Sequence, residues 1–91
     1  MLARQIAEEM VREFVAALRA SADLNQEELA ERLGRRQGNV SRNETQRIRF
    51  TIMDLLDLCW VCEEPIRSIA TLMRRINNRI AFVLEELEDG A

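Results

Sequence analysis

The sequence predicts an all-α domain of five helices. Apolar residues recur at helical spacing along most of the 91-residue chain, which contains a single proline and three glycines. Aromatic residues make up only 4% of the sequence, and the β-branched residues are scattered rather than clustered, which argues against a sheet. A chain of this length is expected to form one domain with a small core, a size at which dimerisation becomes favourable.

The first predicted helix is long and amphipathic, and the second is short. The first helix should end near Asp23, because aspartate tolerates the left-handed conformation that often terminates a helix. Asn25 is a favourable N-cap for the second helix, and Gly34 is its natural stop. Steps of four residues indicate about five turns for the first helix, through Leu2, Ile6, Met10, Phe14 and Leu18. The predicted buried residues of the second are Leu24, Leu29, Ala30 and Leu33.

The third predicted helix, residues 37–45, is short and polar. Its single strongly apolar residue is Val40, so the helix cannot bury a broad face against the rest of the domain. Most of its surface must therefore remain available to solvent or to a partner.

The fourth predicted helix begins with a capping-box pattern. Thr51 occupies the N-cap position and Asp54 follows three residues later. Pro65 ends this helix and opens the fifth. The inner side of the fourth helix is predicted to contain Ile52, Leu55, Leu56, Leu58, Cys59 and Cys62.

The fifth predicted helix, residues 66–89, has the most regular apolar pattern. Spacings of three and four alternate for three heptads, through Ile66, Ile69, Met73, Ile76, Ile80, Val83 and Leu87. This pattern predicts a coiled-coil seam but does not decide between parallel and antiparallel pairing. The first turns are expected to fold back on residues 1–65, which offer no spare surface beyond Ile76. The seam as a whole predicts a homodimer with an interface of Ile69, Met73, Ile76, Ile80, Val83 and Leu87.

Residues 24–44, LNQEELAERLGRRQGNVSRNE, resemble the Xre/Cro family of helix-turn-helix regulators, which contains the lambdoid phage repressors. The likeness continues through residues 51–66, TIMDLLDLCWVCEEPI, although Glu63 stands where the family has a helix-ending glycine. It holds without a gap at Gln26, Leu29, Ala30, Leu33, Gly34, Val40 and Glu44. The resemblance implies a lambda-repressor-like fold, here with an N-terminally extended first helix and a long C-terminal helix.

The motif consists of the second and third predicted helices. In such a module the later of the two helices enters the major groove of DNA, and the earlier one crosses the DNA backbone. The third predicted helix would then read the bases. Gln37, near its start, can bind adenine through two hydrogen bonds. Asn39, Ser41 and Arg42 are further candidates for base contact, and Gly38 allows the backbone to approach DNA closely.

Other candidate residues act on the DNA backbone or on the domain itself. The resemblance implies that Gln26 contacts a phosphate. Arg47 and Arg49 lie in the loop after the reading helix, a position suited to backbone contact. The resemblance also implies a structural ion pair between Arg19 and Glu44, which would hold the reading helix to the scaffold.

Arginines are concentrated around the reading helix. Residues 32–49 hold six arginines and one acid, a net charge of +5 in a chain whose total is −3, so the remaining residues carry −8. Arg35 and Arg36 directly precede the reading helix and complete the set of predicted DNA-binding residues. This asymmetry suits a surface that meets phosphate.

Composition disfavours several other functional classes. The chain has no histidine, the commonest general base and metal ligand, so we expect neither an enzyme nor a metal or cofactor site. Cys59 and Cys62 cannot by themselves complete a tetrahedral zinc site, and buried, inert thiols are expected. Trp60 falls on the outer side of its helix, which indicates a contact surface. No membrane span or signal peptide is recognisable, which predicts a cytoplasmic protein.

These observations predict a sequence-specific transcriptional regulator, a repressor that binds double-stranded DNA at an inverted repeat as a homodimer. An alternative is the antitoxin of a toxin–antitoxin pair, which would repress its own operon and bind the toxin through its C-terminal helix. A third interpretation, motivated by the acidic total charge, is a protein-interaction module that has lost DNA binding.

Overall fold

A computed structural model describes residues 2–34 and 50–89 of the chain. They form four helices: α1 (Leu2–Ser21), α2 (Gln26–Leu33), α3 (Ile52–Val61) and α4 (Arg67–Asp89). This part of the protein is 83% helical and contains no strand, which confirms the all-α prediction. Helices α3 and α4 correspond to the predicted fourth and fifth helices, whereas the predicted reading helix, 37–45, lies outside the described residues.

Helices α2 and α3 both begin with reciprocal capping hydrogen bonds. In α2 the Glu28 N–H donates to Asn25 Oδ1 over 2.7 Å, and the Asn25 N–H donates to Glu28 Oε1 over 3.2 Å. In α3 the Asp54 N–H donates to Thr51 Oγ1 over 3.1 Å, and the Thr51 N–H donates to Asp54 Oδ2 over 2.8 Å. Caps of this kind each stabilise a helix by about 1 kcal/mol. Both predicted helix starts are confirmed.

Helices α1, α2 and α3 each end in a left-handed residue. These residues are Asp23 with φ 59°, Gly34 with φ 69° and Glu63 with φ 56°. After α1 the Leu24 N–H reaches back to the Arg19 carbonyl over 3.1 Å, and after α3 the Glu64 N–H reaches the Cys59 carbonyl over 2.8 Å. This six-to-one bond is the mark of a Schellman motif. The helix ends predicted at Asp23 and Gly34 are therefore confirmed.

Replacing Glu63 with glycine is expected to stabilise the protein by about 0.5–1 kcal/mol. Left-handed backbone costs a residue with a Cβ about 1–2 kcal/mol, whereas glycine adopts it freely but loses part of that gain to its more flexible unfolded chain. Urea denaturation would measure the change as a higher midpoint. Glu63→Gln is the control for the lost charge, and Asp23→Gly should gain less because aspartate tolerates this conformation better. A destabilised Glu63→Gly protein would contradict this account.

The core lies where the four helices meet. Its buried residues are Val15, Leu18, Leu24, Leu29, Leu55, Leu58, Cys59 and Ile69. Helix α2 packs against α3, and α1 packs against α4. The prediction that Ile52 is buried is wrong, since its side chain is 52% exposed. Ile52 shares a face with Leu55 and Cys59, but it is the first residue of α3, one turn before the packed part of that face.

Helices α1 and α4 run antiparallel along much of their length. Phe14 and Leu18, near the end of α1, share a cleft with Ser68 at the start of α4. Farther along, a second cleft is lined by Ile6, Glu9, Met10 and Glu13 of α1 and by Arg79 and Val83 of α4. The expectation that the domain has no surface left beyond Ile76 is therefore wrong. The extended α1 supplies that surface.

The face that α4 turns to α1 differs from the predicted seam. Ile69, Leu72 and Ile76 are buried within the single chain, and Leu72 is only 1% exposed although the predicted seam omits it. Met73 and Leu87, which belong to the predicted seam, are 45% and 56% exposed. Two of the proposed dimer residues, Ile69 and Ile76, are thus covered by the chain itself.

Candidate nucleic-acid interface

The predicted DNA-reading segment connects Gly34 to Phe50. Gln26 is the first residue of α2, but its side chain lies outside what the structure describes. The other predicted DNA contacts fall wholly outside the described residues: Arg35, Arg36, Gln37, Gly38, Asn39, Ser41, Arg42, Arg47 and Arg49. Their roles in DNA binding remain predictions.

Both ends of this segment are attached to well-packed elements. On one side α2 is fixed by Leu29, which is 1% exposed, and ends at the left-handed Gly34. On the other side Phe50 is half-buried against the core, and the Thr51 cap begins α3 immediately afterwards. Because α2 and α3 also pack on each other, the segment connects two helices that are in direct contact.

Arg19 stabilises the turn between α1 and α2. Its Nη1 donates a hydrogen bond to the Leu24 carbonyl over 3.0 Å in a half-buried setting. The N–H of Leu24 also donates the hydrogen bond that closes the Schellman motif after α1. The Arg19 guanidinium therefore stabilises the backbone just before the α2 cap at Asn25. Glu44, its predicted ion-pair partner, lies outside the described residues. The backbone contact of Arg19 was not predicted from sequence, because it depends on the path of this turn.

The arginine cluster is the set of six arginines in residues 32–49, and Arg32 is the one of them that the described ranges include. It is exposed near the end of α2 and borders an open cleft of about 690 Å³. Trp60 lines the same cleft and is 85% exposed, which confirms that it lies on the outer side of α3. The described lining residues are Arg32, Leu56, Cys59, Trp60, Val61, Glu63, Glu64 and Ile66.

The two cysteines are free thiols. Cys59 is fully buried, as predicted, and Cys62 is half-buried. Burial raises the pKa of the Cys59 thiol, and the charge of Glu64 acts in the same direction. Burial also raises the pKa of Cys62, with Arg32 partly opposing the shift. Both thiols are therefore protonated at neutral pH, a state in which they are poor nucleophiles and poor metal ligands.

Within residues 2–34 and 50–89, no three or more acidic or cysteine side chains are grouped so as to hold a metal ion. None of the described helices combines the length and apolar character needed to cross a membrane. Comparisons of the chain with protein-family models, curated proteins and solved structures found no match.

Proposed function

We propose that the protein is a sequence-specific DNA-binding transcriptional regulator that acts as a homodimeric repressor at an inverted repeat. The observation that carries the proposal is the separation of charge. Residues 32–49 have a net charge of +5, whereas the whole chain has −3. Such a segment attracts polyanions and orients their approach, and it is too polar to serve the core.

The described helices support this proposal by the way they flank the segment. A helix-turn-helix module needs a first helix held firmly against its domain, followed after a short turn by a helix free to enter the groove. Helix α2 meets the first requirement, since it is capped by Asn25 and Glu28 and packed on α3. The left-handed Gly34 then turns the chain out of α2, directly before the resembling segment RRQGNVSR.

The proposed contacts divide into those that read bases and those that bind phosphate. Gln37 is the principal base-reading residue, because its amide can donate to and accept from an adenine edge at once. Arg35, Arg36, Arg47 and Arg49 bind backbone phosphates and add affinity without sequence preference. Occupation of a promoter by such a dimer represses transcription by excluding other proteins from the site.

A comparison of Gln37→Ala with Arg47→Ala tests this division. Gln37→Ala is expected to cost about 1–3 kcal/mol on the preferred site and to relax base preference at one position of each half-site. Arg47→Ala should weaken binding to all sequences by a similar factor and lower the salt dependence. Selection of bound sequences from a random duplex pool, followed by titrations with the selected site and point variants of it, measures both effects.

The results can contradict the proposal in two ways. Equal losses for the two variants on every sequence would remove the base-reading role of Gln37. Binding that does not weaken between 50 and 200 mM salt would exclude phosphate contact altogether, since such contacts must release counterions. That second result would favour a protein-interaction module.

The antitoxin alternative has its own structural support. Helix α4 exposes several large apolar side chains, among them Met73, Leu84 and Leu87, and such a surface can bind another protein. An antitoxin would use this surface for its toxin, whereas a repressor dimer would use it for a second copy. The oligomeric state of the purified chain distinguishes the two functions.

A further inference from the structure

Helix α4 carries a second apolar stripe beside the one that packs on α1. We define this outer stripe by spacings of three and four that run through Ala70, Met73, Asn77, Ile80, Leu84 and Leu87. All of these residues are exposed except Ile80, which is half-buried. At 3.6 residues per turn the outer stripe lies about a quarter of a turn from the buried Leu72 and Ile76. The chain covers one face of α4 and leaves the neighbouring face open.

The outer stripe has the composition of a coiled-coil seam. Met73, Ile80 and Leu87 occupy the d positions, and Ala70, Asn77 and Leu84 occupy the a positions. Scattered exposed apolar residues are ordinary in proteins, but large ones aligned on one face from Met73 to Leu87, about two heptads, are not. A lone asparagine at an a position typically fixes the register of a pair at some cost in affinity.

The charges on α4 indicate what binds there. Four arginines lie in its first 13 residues and four acids in its last five. This order opposes the helix dipole, which favours acids at the start of a helix and bases at its end, so it does not serve the stability of α4 itself. A second α4 in antiparallel orientation would set each basic half against an acidic half. A parallel copy would set like charges side by side.

We propose that the outer stripe is the interface of an antiparallel homodimer, with Asn77 close to the two-fold axis. The inference deepens the homodimer of the proposed function and does not depend on DNA binding. The partner is a second copy of this chain, because a helix with opposite charges at its two ends is complementary to itself when reversed. Of the interface predicted from sequence, Met73, Ile80 and Leu87 are retained. The buried Ile69 and Ile76 and the half-buried Val83, which lines the cleft with α1, are replaced by Ala70, Asn77 and Leu84.

Sedimentation equilibrium of the full chain without DNA tests the surface. The wild-type protein is expected to be a dimer, and Leu84→Asp should raise its dissociation constant about tenfold or more by placing a charge in an apolar seam. Phe82→Asp is the matched control. Phe82 is 53% exposed on the same helix but lies away from the outer stripe, so the same substitution there should leave the dimer nearly unchanged.

Charge reversal tests the orientation. Changing Arg67 and Arg74 to glutamate makes both ends of α4 acidic, which should weaken an antiparallel dimer about threefold to tenfold. Adding Glu85→Arg and Glu88→Arg makes the end of α4 basic while its start is acidic. Opposite charges then face each other again in the antiparallel dimer, so the affinity should recover. In a parallel dimer the Arg67→Glu and Arg74→Glu changes replace repulsion between arginines by repulsion between glutamates. Neither a loss of dimer affinity nor its recovery is then expected.

Three results would overturn the proposal: a monomeric wild-type chain at tens of micromolar, equal effects of Leu84→Asp and Phe82→Asp, or charge reversal without recovery. A monomer would leave the outer stripe to a different protein. Far-UV circular dichroism is the control that checks whether each variant keeps its helices. None of these substitutions falls in residues 35–49 and no DNA is present, so the outcome is separate from that of the proposed function.

Discussion

Replacing Leu72 with alanine is expected to lower the free energy of unfolding by about 2–5 kcal/mol. Leu72 is 1% exposed and lies in the face of α4 that packs on α1, so truncation removes buried methyl groups and leaves a cavity. A domain of this size is stable by roughly 5–15 kcal/mol in total, so the loss is a large share. Urea denaturation would show a lower midpoint at an unchanged slope.

Phe82→Ala is the control for this prediction. It removes a larger side chain from the same helix, but Phe82 is 53% exposed and its ring is contacted by the Arg79 guanidinium at 5.8 Å. Its truncation should cost about 1 kcal/mol or less. We call the face of α4 that packs on α1 its inner face. If Phe82→Ala destabilised the protein as much as Leu72→Ala, this inner face would have been assigned to the wrong residues.

Changing Arg35, Arg36, Arg47 and Arg49 to glutamine is expected to remove most of the salt dependence of DNA binding. Each phosphate contact contributes about 0.9 to the slope of log affinity against log salt. Four contacts make the wild-type protein lose about a hundredfold more affinity than the variant between 50 and 200 mM salt. Fluorescence anisotropy with a labelled duplex at several salt concentrations measures the two slopes.

A matched pair of double variants controls for the change in net charge. Arg47→Gln with Arg49→Gln should lower the slope by about 2. Arg4→Gln with Arg75→Gln removes the same charge from exposed positions on α1 and α4 and should leave the slope nearly unchanged. Similar slopes for the two pairs would show that the arginine cluster attracts DNA only through net charge, without direct contact.

The helix ends were predictable because their causes are local. Asn25 and Thr51 satisfy backbone N–H groups within three residues of themselves, and Asp23 is a residue that tolerates left-handed backbone. The strain at Glu63 could also be anticipated, since it stands at a position where the resembling family has glycine. In each case the residue and the backbone that it controls are neighbours in the chain.

The inner face of α4 was not predictable for the opposite reason. Its sequence is compatible with more than one apolar stripe, and periodicity alone does not say whether Leu72 or Met73 is buried. That choice depends on α1, which ends 46 residues before α4 begins and covers α4 as far as Val83. For the candidate site, sequence supplied residue types and charge, whereas the contact of Arg19 with the Leu24 carbonyl required the path of the turn.

Helix α4 packs on α1 within the protomer and also bears the outer stripe. Self-association in the proposed dimer would therefore be linked to folding by mass action. Binding that requires folded α4 stabilises the native state more as the protein becomes more abundant. The melting temperature should then rise with concentration. In a cell, a regulator of this kind would be most exposed to proteolysis when it is scarce, so its lifetime would shorten as its copy number fell.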